Sequence, residues 1–242
     1  MKRAERRHLK DNELATFALN AQQVIEARRR DIIAFLAVVV VAGGAGGGYY
    51  LWRSHVQSAA HSLLADALAV DDAQVGPPAN PDALDTELRF PTERAKAQAA
   101  LTKFKVVADD YPSTDAGIFA RYREAATWML LGSPGEAATA FQEVIDRAGD
   151  GLYGQMARLG LAEAQAQNGQ ADQAIATLKA LADKKDSSLP VDGILMQLGR
   201  TARDAGKTTE AQQAFNRIVQ EFPDSAFSPE ARQALDDLKK AS

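Results

Sequence analysis

The chain has no cysteine, which excludes disulfides, thiol catalysis, zinc-thiolate sites and a lipid-acceptor cysteine together. Histidine is almost as scarce: His8, His55 and His61 are the whole supply, and no two stand at metal-ligand spacing. Aromatic residues make up only 7% of the 242 positions, and much of the 46% apolar fraction is alanine. That composition suits close-packed helices and disfavours sheets, which draw on valine, tyrosine and phenylalanine. The acidic pairs Asp71-Asp72, Asp109-Asp110 and Asp236-Asp237 fall at predicted helix ends or in loops, where adjacent acids solubilise. No catalytic residue, cofactor site or metal site is assigned, and an all-α, non-enzymatic protein is expected.

Positive charge is thin beyond the first 31 residues. Those residues hold eight Lys or Arg against five Asp or Glu, leaving 20 against 27 for the remainder. The acidic remainder offers no electrostatic footprint for nucleic acid. Between the two lies a stretch with no charge at all, Ile32 to Trp52, 21 residues long. At helical rise it spans about 31 Å, the thickness of a bilayer core. Arg28, Arg29 and Arg30 precede it, and Tyr49, Tyr50, Trp52 and Arg53 close it as an interfacial belt. The basic end is expected in the cytoplasm and the acidic bulk across the membrane.

Gly43 to Gly48 contains neither G-x-G-x-x-G nor a following Gly-Lys-Ser/Thr, so it is not read as a phosphate loop. Gly43/Gly47 and Gly44/Gly48 form overlapping small-xxx-small pairs that admit a second helix, from another copy or from a partner. The competing reading is glycine merely tolerated in lipid. Ala42-Gly43-Gly44 also fits a signal-peptide cleavage site, and cleavage there would release a soluble repeat protein of envelope assembly or division.

Around the span, residues 1–31 read as a cytoplasmic amphipathic segment, with Leu14, Phe17, Ala21, Val24 and Ile25 at helical spacing. It either lies on a surface, pairs with another helix or stands as a solvated stalk. Residues 32–52 form the transmembrane helix. Residues 53–70 read as a separate juxtamembrane helix, with Val56, Ala60, Leu63, Leu64, Ala67 and Leu68 on its apolar side. Residues 71–91 carry four of the nine prolines and predict a linker with little regular structure.

From Thr92 to the end, residues 92–242, the chain repeats itself. Ala100, Ala137, Ala174 and Ala211 recur every 37 residues, as do Phe104, Phe141, Leu178 and Phe215, and Val107, Val144, Leu181 and Ile218. Gly132, Gly169 and Gly206 stand before the last three alanines, and Ala125, Ala162 and Gly199 before the glycines. This register specifies a helix, a tight turn, a second helix and a short connection, in units that bury their apolar faces only by stacking. Phe227 to Lys240 is expected to cap the stack.

The pattern resembles the tetratricopeptide repeat, with Ala125, Trp128, Gly132, Ala137, Phe141 and Val144 matching best. The period is longer than the usual length of about 34 residues, and the first unit lacks a leading helix because Pro91 falls where it should run. The helix expected over Ser54 to Val70 is the substitute. Counted back in this register, the concave positions fall on Phe119, Tyr122 and Met129, on Met156, Leu159 and Glu163, and on Met196, Arg200 and Arg203. Apart from Met1, every methionine is in that set. Flexible thioethers suit a protein-binding groove for varied apolar segments, with Arg200 and Arg203 as a positive rim. The alternative is that the methionines fill gaps in the core. The Lys and Asn positions of carboxylate-gripping repeats are not matched, which argues against a dedicated clamp for C-terminal peptides.

The whole order, a short charged N-terminus, a glycine-rich span closing in YYLWRSH, a small-residue helix and then repeats, is similar to the YfgM-like family of ancillary SecYEG translocon subunits. That resemblance implies a single-pass protein of the bacterial inner membrane with a periplasmic repeat domain. Its implied partners are the translocon, a membrane-anchored periplasmic foldase and newly exported polypeptides.

Overall fold

A computed structural model describes residues 28–77 and 88–240. The amphipathic segment expected before the span and the centre of the proline-rich linker lie outside these residues. Nine helices are described: α1 (Arg29–Asp71), α2 (Glu93–Asp110), α3 (Asp115–Leu130), α4 (Pro134–Ala148), α5 (Leu152–Gln167), α6 (Ala171–Ala182), α7 (Val191–Asp204), α8 (Thr208–Glu221) and α9 (Ser228–Lys240). The chain divides into two compact units, Met1–His55 and Val56–Ser242, and the division falls within α1.

In the first unit α1 presents its apolar side chains outward, with Phe35 68% and Tyr50 72% exposed. It is the one described helix long and apolar enough to cross a membrane. The juxtamembrane helix expected as a separate element does not exist as such, because α1 continues unbroken for 43 residues. The reason is local. From Tyr49 to Asp71 there is no glycine or proline, so nothing interrupts the ladder of backbone hydrogen bonds.

The second unit begins with the other half of α1. Ala60, Leu64, Ala67 and Val70 are buried against Ala100, Phe104 and Val107 of α2 and Ala116 and Ala120 of α3. This half supplies the leading helix that the first repeat lacks. Its end is tied down by Asp71, which accepts a hydrogen bond from Arg123 of α3. The Arg123 guanidinium also lies over the Phe104 ring, 5.6 Å from its centroid. Pro91 then ends the linker instead of breaking a helix. Thr92 caps α2, its Oγ1 accepting from the Ala95 backbone N–H at 3.1 Å.

The linker has more order at its ends than its prolines suggest. Gln74–Val75 (β1) and Arg89–Phe90 (β2) pair in parallel, Gln74 opposite Arg89 and Val75 opposite Phe90. The Gly76 N–H donates to the Phe90 carbonyl at 3.0 Å, so the two ends of the linker meet.

Three further hairpins follow, α3/α4, α5/α6 and α7/α8, with α9 packed on α8. Each hairpin turns at the repeated glycine, and Gly132, Gly169 and Gly206 take φ of 78°, 77° and 70°, the left-handed region that favours glycine. The alanines of the 37-residue register are fully buried, and the Phe/Leu and Val/Leu/Ile positions are buried beside them. Small residues on the leading helices admit the rings. A Cβ placed on Gly199 would lie 2.4 Å from the Phe215 ring, and one on Gly160 would lie 2.4 Å from the Phe141 ring. The fold is therefore all-α, a tetratricopeptide-like stack of helical hairpins in the second unit.

Candidate protein-binding groove

The leading helices α3 and α5 line one side of the stack, and between them lies a cavity of about 430 Å3. Tyr122, Ala126 and Met129 come from α3, and Met156, Leu159, Gly160 and Glu163 from α5. In each helix these residues recur three or four apart, with Leu159 and Gly160 adjacent, and so share a face. Phe141 of α4 reaches the floor because Gly160 leaves room for its ring. Tyr122 and Phe141 meet edge to face at 5.7 Å. Leu189, from the connector between α6 and α7, and Gln197 of α7 complete the lining.

The connector is held by a buried amide. Gln155 Oε1 accepts from the Ser188 N–H at 2.8 Å, while its Nε2 donates to the Asp150 carbonyl at 3.0 Å. With both ends bonded, this 2% exposed side chain fixes the connector against α5 and sets Leu189 at the groove. Burial pushes the Tyr122 phenol up; Arg123 opposes the shift and Glu163 adds to it.

Of the nine positions expected on the concave face, five line this cavity: Tyr122, Met129, Met156, Leu159 and Glu163. Phe119 is half-buried beside the α1–α2 core, its ring tilted against Tyr153 at 5.7 Å. Met196 is 1% exposed and belongs to the core. It does not stand on an open surface. The cause is α9, whose approach covers that side of α7: Phe227 contacts the Gly193 position, and Arg200 makes a two-pronged bond to Glu230 at 2.6 and 2.7 Å. Met196 stands between Gly193 and Arg200 in α7 and belongs to the same buried core cluster as Ala231, Ala234 and Leu235. The expected positive rim is likewise neutralised, since Arg203 pairs with Asp204 at 3.1 Å. Ala126, Phe141, Gly160, Leu189 and Gln197 were missed by the repeat count. Ala126 and Gly160 carried a signal, helical spacing from Tyr122 and Met156. Leu189 carried none, because the connector has no periodicity.

A charge cluster centred on the buried Arg121 and Glu124 joins three helices, with Asp109 and Glu143 at its exposed edges. Arg121 of α3 meets Glu124 at 2.5 Å, pairs with Asp109 of α2, and reaches Glu143 of α4 at 3.2 Å. Burial raises the Glu124 carboxyl, with Arg121 and Lys105 only partly offsetting it. For Asp109, burial is outweighed by bonds from Arg121 and Lys105, which hold its carboxyl low. Burial works against the Arg121 charge, but the Asp109 bond and the fields of Glu124 and Glu143 raise its affinity for the proton.

In the first unit, a Cβ added at Gly43, Gly44, Gly47 or Gly48 would meet nothing within 4 Å among the described residues, so that helix face is open there. Among the described residues no group of three or more His, Asp or Glu is arranged to hold a metal ion.

Helical hairpins turning at glycine, with small residues facing rings between units, define a helical-repeat protein of the kind that serves as an interaction scaffold. The chain belongs to the tetratricopeptide repeat-like domain family, whose model matches residues 29–240. The match includes all of α1, in agreement with its second half acting as a repeat helix. Among solved structures, the nearly identical TPR-like repeats of a kinesin light chain-type protein from Podosopora anserina superpose with a TM-score of 0.53 at 15% identity, covering 60% of this chain and 79% of that one. A single-residue variant of that protein gives a TM-score of 0.49 at 15% identity, over 60% and 86% of the two chains. At such identity the likeness concerns the fold alone. No protein in a comparison with curated sequences matches this chain.

Proposed function

We propose that this protein is a single-pass adaptor of the bacterial inner membrane. In this reading residues 32–52 span the bilayer, residues 1–31 are cytoplasmic, and the repeat domain works in the periplasm as part of an ancillary translocon subunit. The observation that carries it is the division of labour within α1. Its first half exposes Ile33, Phe35, Val40 and Trp52, while its second half, from Ala60 to Val70, is repeat core. Exposed apolar area on this scale costs about 25 cal/mol per Å2 in water, and a bilayer removes that cost. The groove of Tyr122, Met129, Met156 and Leu159 then serves as the docking surface for a periplasmic foldase or a newly exported polypeptide. The open face of Gly43, Gly44, Gly47 and Gly48 suits a neighbouring helix, either of the translocon or of a second copy.

Site-specific photocrosslinking in intact cells tests both surfaces. A probe at Met156 should trap a periplasmic foldase or an exported chain, and a probe at Gly47 should trap a translocon helix or a second copy. Labelling at Met156 with no translocon or foldase product from either site would leave an adaptor of another assembly and refute the translocon assignment.

A further inference from the structure

The groove is apolar, but its charge is one-sided. Among the described residues Glu163 is the only charged side chain lining it. Its carboxylate is exposed, and its one hydrogen bond is a long one, 3.4 Å from the Gln167 amide. Three arginines of the leading helices are committed elsewhere. Arg123 is bound to Asp71, Arg158 to Asp150 at 3.2 Å, and Arg200 to Glu230. An apolar bowl with an uncompensated carboxylate at its edge favours a cationic side chain and disfavours an anionic one, by field and by desolvation alike.

Resting on the reading of the groove as a docking surface, we propose that its occupant is an extended polypeptide segment in which a Lys or Arg stands beside bulky aliphatic or aromatic residues. Met129, Met156 and Leu159 take the apolar side chains, adapting to their shapes as thioethers do. Glu163 takes the cation. Acidic segments and free C-terminal carboxylates are turned away by the same charge. This reverses the preference that a positive rim of Arg200 and Arg203 would have set.

The test uses the full chain in nanodiscs of zwitterionic lipid, so that the bilayer itself does not attract basic probes. Two labelled peptides share one Leu/Phe core and differ only in flanking residues, lysine in one and glutamate in the other. At low ionic strength the lysine peptide should bind about fivefold more tightly, the worth of one partly exposed ion pair. Glu163→Gln should bring the two affinities together and Glu163→Lys should invert them, with helix content and melting unchanged because the residue is exposed. Equal or tighter binding of the glutamate peptide, or a preference that survives Glu163→Lys, overturns the inference. Tyr122→Ala combined with Met156→Ala separates the two levels. Loss of both peptides in that variant without any charge preference in the parent refutes the charge inference alone. Unchanged binding of both peptides, or binding of neither by the parent, refutes the groove reading and this inference with it.

Discussion

Residues 33–52 and 60–70 belong to one helix, yet they live by opposite rules. In the first stretch Ile33, Phe35, Val40, Tyr50 and Trp52 are exposed; in the second, Ala60, Leu64, Ala67 and Val70 are covered by α2 and α3. Both stretches are rich in apolar residues. What differs is their periodicity. Ile32 to Trp52 is apolar all round and long enough to cross a bilayer, whereas Ala60, Leu64, Ala67 and Leu68 leave one polar side for water. A helix written in two patterns can therefore serve as anchor and as repeat. The second compact unit accordingly begins at Val56, ahead of the repeat register that starts at Thr92.

Cutting the chain at two places separates the two roles of α1. A chain starting at Thr92 loses the four buried side chains of α1 and the Asp71 partner of Arg123. That should cost on the order of 5 kcal/mol and leave α2 and α3 without a stable core. A chain starting at Ser54 should melt cooperatively. Circular dichroism melts of the two decide it, and equal stability would mean that α1 is not part of the repeat stack.

Within the stack, Arg121→Leu should cost about 3–5 kcal/mol, because it leaves the Glu124 carboxylate buried without its main counter-charge. A carboxyl held protonated more strongly in the folded chain than in the unfolded one gives stability that is present at low pH and lost as pH rises. The variant should therefore gain stability on mild acidification from neutrality. Asp109 contributes in the opposite sense in the parent chain, since its carboxyl is held low and its contribution is lost as pH falls. Denaturant titrations across that range should show the change of slope.

A methionine pair sharpens the contrast between core and groove. Met196→Gln buries an amide among apolar side chains and should cost about 2–4 kcal/mol. Met156→Gln, half-exposed at the groove, should stay within about 1 kcal/mol while weakening capture of apolar segments. Gly199→Ala should cost about 1–3 kcal/mol through its clash with Phe215, less than Met196→Gln, and Phe215→Leu in the same chain should recover part of that loss.

The sequence made much of this legible, and the failures have physical causes. The glycine turns and the buried alanine and phenylalanine positions recur at a fixed interval, so Gly132, Gly169 and Gly206 could be placed before any coordinates. The break expected after Arg53 came from treating the membrane boundary as a helix boundary. Aromatic and arginine residues mark where lipid ends, but they are good enough helix formers for the backbone to continue. Met196 was misplaced because the repeat count assumes every unit has the same neighbours, and the last one has α9. Leu189 was out of reach, since its position depends on Gln155 bonding a connector that carries no pattern.

The claim that one helix serves two environments is most directly tested by washing membranes with alkaline carbonate and measuring the intact mass of the protein in each fraction. The uncleaved 26.0 kDa chain is expected in the membrane pellet. A soluble, shortened chain whose first residue lies between Gly43 and Gly48 would contradict it, leaving α1 as a repeat helix only.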